Sequence, residues 1–284
     1  MSRWNAALIH LCISATIAAI VSVLLLLVWY PPPYFHAGGA GELLALVMGV
    51  DVTLGPLITF IVFKSGKQGL KFDLAVIGIV QTAALVYGFN VIVRTRPVFL
   101  VAAVDRFVLV DANQLARRDL AQASRPEWRH LSWTGPVLVG TRLPTDPKEH
   151  NALLFSTLST GKDVQDFPKY YVPYTEAIPA LLQRAQPVHT LLQLYPGKHD
   201  EIDAWLKRHA VGEAQVLWLP IQARNGDLVM MVHAKDGQPI GALAINPWPV
   251  DATPATGGAT RKPGEPGEPG EPGEPGEPGE PSRA

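Results

Sequence analysis

The sequence predicts a membrane protein: three N-terminal transmembrane α-helices followed by an α+β soluble domain with an antiparallel sheet, and a disordered Gly-Glu-Pro tail. Three observations predict it. Long apolar runs are confined to the first third of the 284 residues. Shorter apolar runs, separated by turn dipeptides, fill the middle. One triplet repeats through the end. The segments are residues 1–94, 95–250 and 251–284. The net charge of -1 gives no field that would attract nucleic acid, and the mean hydropathy of +0.14 is high for a soluble chain.

The first span covers residues 6–29, which include no Lys, Arg, Asp or Glu. Residues 43–63 and 74–93 form the second and third, and each of the three reaches the roughly 20 residues that a hydrocarbon core needs. The first run is longer than the roughly 7–15 apolar residues of a signal peptide. Trp29, Tyr30 and three prolines follow it, so retention of this helix is expected. Trp29 and Tyr30 suit a membrane–water boundary. Orientation follows from the basic residues near the span ends. Arg3, Lys64, Lys67 and Lys71 lie on one side, and only Arg94 and Arg96 on the other. Four against two predicts a cytoplasmic N-terminus and a soluble domain on the far side. The only cysteine, Cys12, lies in the first span, so the exported domain has no disulfide and no cysteine-ligated metal.

Beyond the spans, residues 98–101 and 106–110 are rich in β-branched and aromatic side chains and predict strands. Asp111 then offers a cap for a helix over 112–123. Residues 136–141 predict a strand, and 147–159 a helix capped by Asp146. Ile202, Trp205, Leu206 and His209 recur at helical spacing over 200–209. Three apolar runs at 215–223, 228–234 and 240–246 are joined by Asn225-Gly226-Asp227 and Lys235-Asp236-Gly237-Gln238. Asn-Gly and Asp-Gly accept the positive φ of hairpin turns, which predicts an antiparallel meander. Six Gly-Glu-Pro triplets run over residues 264–281. They have the collagen period but predict an extended acidic tail of polyproline II character.

Asp51 is the first candidate for function, because a carboxylate near mid-membrane is costly and by default marks a site. It lies in Gly49-Val50-Asp51-Val52-Thr53-Leu54-Gly55-Pro56-Leu57, where Gly55-Pro56 predicts a kink with a freed carbonyl that Thr53 or Thr59 would help satisfy. An intramembrane aspartyl protease using Asp73 as the second carboxylate is disfavoured by depth. Asp51 is about 12 residues, or roughly 18 Å, from the boundary at which Asp73 sits, and a proton-sharing pair needs contact. Two roles stay open for Asp51: a polar clamp to Gln81, Asn90 or Ser14, or a contact for a partner's helix. In the soluble domain no catalytic set emerges, so no enzyme, cofactor or metal is expected. Gly161-Lys162 is a turn, and His199 and His209 are too far apart to share a metal. Asp105-Arg106 between two strands is a structural ion pair or part of a binding surface. Tyr170, Tyr171 and Tyr174 are expected in packing before partner contact.

An ordered set of motifs carries a resemblance. It comprises Trp4-Asn5-Ala6 with Ile9-His10-Leu11, Trp29-Tyr30-Pro31 with Pro33-Tyr34-Phe35, the stretch from Gly49 to Thr59, Leu70-Lys71-Phe72-Asp73-Leu74, Tyr87-Gly88, Arg96-Pro97-Val98 and Val104-Asp105-Arg106-Phe107. Over roughly residues 1–250 the chain resembles the TfpX/TfpZ family of type IV pilin accessory proteins. The resemblance implies a Gram-negative inner-membrane protein, without enzymatic activity, that acts as a chaperone or modulator of the pilin subunit before assembly. Pilin is anchored by one apolar helix and carries a periplasmic globular domain. The bundle and the exported domain would then hold both parts of one subunit, with membrane lipid around the helices. Asp51, Thr53, Gly55 and Pro56 are the candidates for the membrane contact, and Asp105 and Arg106 for the soluble one. The alternative is a membrane-anchored periplasmic sensor or ligand-binding module, which requires a pocket of convergent polar groups.

Overall fold

A computed structural model describes residues 2–248. Among the described residues three helices are long and apolar enough to cross a membrane: Arg3–Trp29, Ala40–Val62 and Leu70–Thr95. The first is α1 (Arg3–Leu24), continued by a π-helical turn at Leu25–Trp29. After a short helix α2 (Tyr34–Ala37), the second is built in three pieces: α3 (Ala40–Gly49), a π-turn (Val50–Leu54) and α4 (Gly55–Val62). The π-turn precedes Pro56. There an unbroken α-helix would press the proline ring onto the carbonyl of Val52, and Pro56 has no N–H to donate. The third helix, α5 (Leu70–Thr95), is continuous.

These helices leave apolar surface outward. Leu8, Ile20, Leu27, Ile61 and Ile79 are each more than half exposed, as expected of helices apolar on every face that meet lipid tails. The middle helix contacts both α1 and α5. At one end, Val21, Leu25, Trp29, Tyr30, Ala40 and Ile92 close a small apolar core.

β1 (Pro97–Ala103) follows α5 almost directly and turns at Val104-Asp105 into β2 (Arg106–Asp111). Both strands are buried on both faces, which is why they read as unbroken apolar runs. Phe99, Val101, Val108 and Val110 pack with Trp128, Leu153 and Tyr171 on one side. Leu100, Ala102, Phe107 and Leu109 pack with Tyr174, Ala177 and Leu181 on the other. The remaining strands are β3 (Val137–Thr141), β4 (Tyr171–Val172), β5 (Gln186–Pro187), β6 (Val216–Gln222), β7 (Leu228–His233) and β8 (Pro239–Leu243). The sheet order is β4-β3-β1-β2-β6-β7-β8, and β5 pairs with β6.

The expected meander over β6, β7 and β8 is present and antiparallel. The sheet as a whole is mixed, which corrects the antiparallel expectation. β1 pairs parallel with β3, and β2 pairs parallel with β6. Each parallel pair is reached by a crossover, which leaves no hairpin signal between the strands that meet. A second correction concerns residues 112–123, where only α6 (Arg117–Leu120) is helical. The carboxylate expected to cap a longer helix is used elsewhere: Asp111 pairs with Arg224. Its N–H donates to the Gln114 side chain at 2.6 Å, which fixes a turn in place of a helix.

The other helices are α7 (Pro147–Thr160), α8 (Tyr174–Leu182), α9 (Val188–Leu194) and α10 (His199–Arg208). Asp146 caps α7 by accepting from the Glu149 N–H, and Gly161 ends it at φ 69°. Ile202, Trp205 and Leu206 bury one face of α10 against β6–β8, as the spacing predicted. Tyr170, Tyr171 and Tyr174 are core residues. The Gly-Glu-Pro tail expected over 251–284 lies outside the described residues.

Candidate functional site

The site is a groove between α1 and α5 whose floor is the middle helix. On α1 its wall is Ala6, Ile9, His10, Ile13, Ser14 and Ile17. On α5 it is Leu74, Ile77, Gly78, Gln81, Thr82 and Leu85. Both walls follow the spacing i, i+3, i+4, i+7, i+8, i+11, which is one helix face extending about 16 Å along the axis. Asp51, Thr59 and Phe63 form the floor, and the cavity measures about 360 Å³.

A polar row crosses this apolar groove. Asp51 is 8% exposed and accepts from Gln81 Nε2 at 3.3 Å. Of the clamp partners considered for it, Gln81 is the one the structure joins to Asp51, while Asn90 is exposed. Thr59 shares a hydrogen bond of 2.6 Å with His10 Nδ1, tying α4 to α1. Ser14 is 4% exposed, lines the cavity and has no hydrogen-bond partner among the described residues. Gly55 makes the arrangement possible. A Cβ there would stand 1.9 Å from Gln81 Nε2 and 3.0 Å from His10 Nε2, so any side chain displaces Gln81 from Asp51.

The six predicted site residues divide into three places. Asp51 and Gly55 are buried at the groove, and Pro56 sets the turn beside it. Thr53 is exposed on another side of the helix, and Thr59 is buried, with its hydroxyl bonded to His10 rather than to the freed carbonyl that either threonine was expected to help satisfy. Asp105 and Arg106 form an exposed bidentate pair at the β1–β2 turn, with Nε and Nη2 2.9 and 3.1 Å from the carboxylate oxygens. Asp73 pairs with Lys67 at 2.6 Å, so the second carboxylate of the protease reading has a partner other than Asp51.

A junction joins the helices to the sheet. Tyr30 Oη donates to the Thr95 carbonyl at 2.7 Å, and Arg224 Nη2 donates to the same carbonyl at 3.1 Å while pairing with buried Asp111. Burial raises the Tyr30 phenol to about 12, with the Asp111 charge adding, so it stays a donor at neutral pH. Asn225, in the β6–β7 turn, donates its backbone N–H to the Ala37 carbonyl at 2.8 Å and its side chain to Glu42 at 3.1 Å. Arg96 is 3% exposed, donates to the Val93 and Ser132 carbonyls, and lies 4.1 Å over the Trp133 ring. One of the two arginines that weighed against the orientation therefore has a structural use. The sequence gives no signal for this junction, because Asp111 and Arg224 are 113 residues apart.

The sheet domain offers further surfaces. A cavity of about 610 Å³ beside β4 holds several charges, but Arg142 pairs with Glu176 and Lys169 with Glu149, so they satisfy each other. On α7, Leu154, Phe155 and Leu158 are 51%, 72% and 85% exposed, an apolar face of the kind that marks protein contacts. Among the described residues no cluster of His, Cys, Asp and Glu could hold a metal ion.

Comparison with known proteins points one way. The family described as "Fimbrial assembly protein FimB" matches residues 1–39, the segment that supplies the α1 wall. A fimbrial assembly protein of serogroup I from Dichelobacter nodosus is 29% identical over 242 residues, covering 84% of this chain and 93% of the relative. The serogroup E1 protein from the same organism is 27% identical over equal shares. The protein of serogroups C1 and C2 is 36% identical over 118 residues, 40% of this chain and 89% of its own length. No solved structure matches.

Proposed function

Because the chain belongs to the fimbrial assembly protein family, we propose that it is a membrane-embedded accessory factor that engages the fimbrial subunit before the subunit enters the fibre. Its role is in fimbrial assembly. In finer terms it is a pilin chaperone or modulator of the TfpX/TfpZ kind, in the inner membrane, with the lysine loop in the cytoplasm and the sheet domain in the periplasm.

The observation that carries this is the joining of two interaction surfaces in one compact unit. The groove lies among helices fit to cross a membrane, and the exposed apolar face of α7 lies on the soluble domain. A subunit with one membrane helix and one globular domain meets both. Two weak contacts made by one molecule gain effective concentration, so each is weak enough to release the subunit to the fibre.

The test is a gene deletion with a complemented control, comparing sheared surface subunit with total cellular subunit by immunoblot. Loss of surface subunit, restored by complementation, is expected. Unchanged surface subunit contradicts the proposal.

A further inference from the structure

We propose that the groove between α1 and α5 is the seat of one membrane helix of the fimbrial subunit, and that Asp51 accepts a hydrogen bond from a donor at the middle of that helix. This deepens the function proposed above and rests on it.

Three features of the groove specify its occupant. Each of its two walls presents one helical face for about 16 Å, or about three turns, a length suited to a helix. Gly78 on one wall has no atom within 4 Å of where its Cβ would be, so the groove is open where a helix would pack closest. Third, the polar row is incompletely used. Asp51 receives one long hydrogen bond, although a carboxyl keeps further acceptor capacity in either protonation state. Ser14 is nine-tenths buried, faces the same cavity and has no partner among the described residues.

Asp51 stands near the middle of its helix, about 17 Å from either end of Ala40–Val62. A donor that reaches it must therefore be carried to mid-membrane depth. A lipid acyl chain fills the apolar walls but brings no donor or acceptor, and it leaves the polar row as it is. A second copy meeting groove to groove would set concave on concave. A single helix from another protein meets all three requirements.

The test uses the full-length protein in its native membrane, with a photo-crosslinking amino acid at Ile13 in the groove or at Ile61 on an outward face. Each is combined with Gly78→Leu or Gly49→Leu. Gly78→Leu adds bulk to the groove from a Cβ position with no atom within 4 Å and improves helix propensity, and the protein level is read by immunoblot. Gly49 is equally open but lies outside the groove, so Gly49→Leu is the control.

The expected result is a crosslink from Ile13 to the fimbrial subunit, lost in Gly78→Leu, kept in Gly49→Leu and absent from Ile61. Asp51→Leu should weaken it while the protein level, read by immunoblot, is maintained. Crosslinks from Ile13 only to lipid or to a second copy, or an Ile13–subunit crosslink indifferent to Gly78→Leu, overturn the proposal. Should the deletion phenotype stand while the Ile13 crosslink fails, the subunit is engaged elsewhere and only the seat is wrong. Should the deletion leave surface subunit unchanged, the underlying function falls with it.

Discussion

Arg224→Ala is expected to loosen the sheet domain from the helices and to destabilise the protein by about 2–4 kcal/mol at neutral pH. The figure sits below the upper range for breaking a buried pair because Arg224 is itself 37% exposed. The variant leaves the Asp111 carboxyl buried without its cation and removes one of two donors to the Thr95 carbonyl. The pH dependence separates this from a simple packing loss. Burial holds the Asp111 carboxyl above its ordinary range, and Arg224 pulls it partly back. A carboxyl whose pKa is higher folded than unfolded contributes stability in full below its unfolded value. That contribution is lost as pH rises through the folded value. Removing Arg224 raises the folded value further. The stability gap between wild type and variant should therefore be widest at neutral pH and narrow on acidification, in thermal unfolding of the detergent-solubilised protein. A gap independent of pH would mean that Asp111 is not the group left exposed to the loss.

The second large effect concerns the crossing of α3 and α5. Gly88 lies where a Cβ would stand 2.6 Å from Val47 Cγ2 and 3.1 Å from Cγ1. Valine is short and stiff at χ1, so α3 must move as a backbone to make room. Gly88→Ala should cost about 1–3 kcal/mol, the range for overpacking, despite alanine being the better helix former. Because α3 leads into the turn that holds Asp51, surface fimbriation should fall with it. Val47→Ala in the same chain removes both clashing methyls and should restore stability and surface subunit together. Failure of that second change to rescue the first would separate the glycine from helix packing.

What was legible in the sequence is what neighbouring residues decide. The three long helices, the strands beginning at Pro97 and Arg106, the capped helix after Asp146 and the meander through Asn225 and Gly237 all follow from local periodicity and turn chemistry. Asp51 was legible as a candidate site because its cost depends on depth alone, and Gln81 stood among its proposed partners. The rest depends on residues that meet only after folding. Asp111 reads as a helix cap until Arg224 arrives from the other end of the domain, and the helix expected after it shrinks to Arg117–Leu120. The parallel pairings of β1 with β3 and of β2 with β6 have no local signature. Gly55 reads as half of a kinking Gly-Pro pair. Its second use, making room for Gln81, needs the position of a side chain on another helix. His10 was legible only as part of a motif, since its bond to Thr59 spans 49 residues.

The most direct measurement is the lifetime of the unassembled subunit. In a strain blocked for fibre assembly, newly made subunit is pulse-labelled and followed in the membrane with and without this gene. A factor that engages the subunit before the fibre should lengthen its life, so a distinctly shorter half-life is expected in the deletion, restored by the full-length protein. Equal half-lives in the two strains would contradict it.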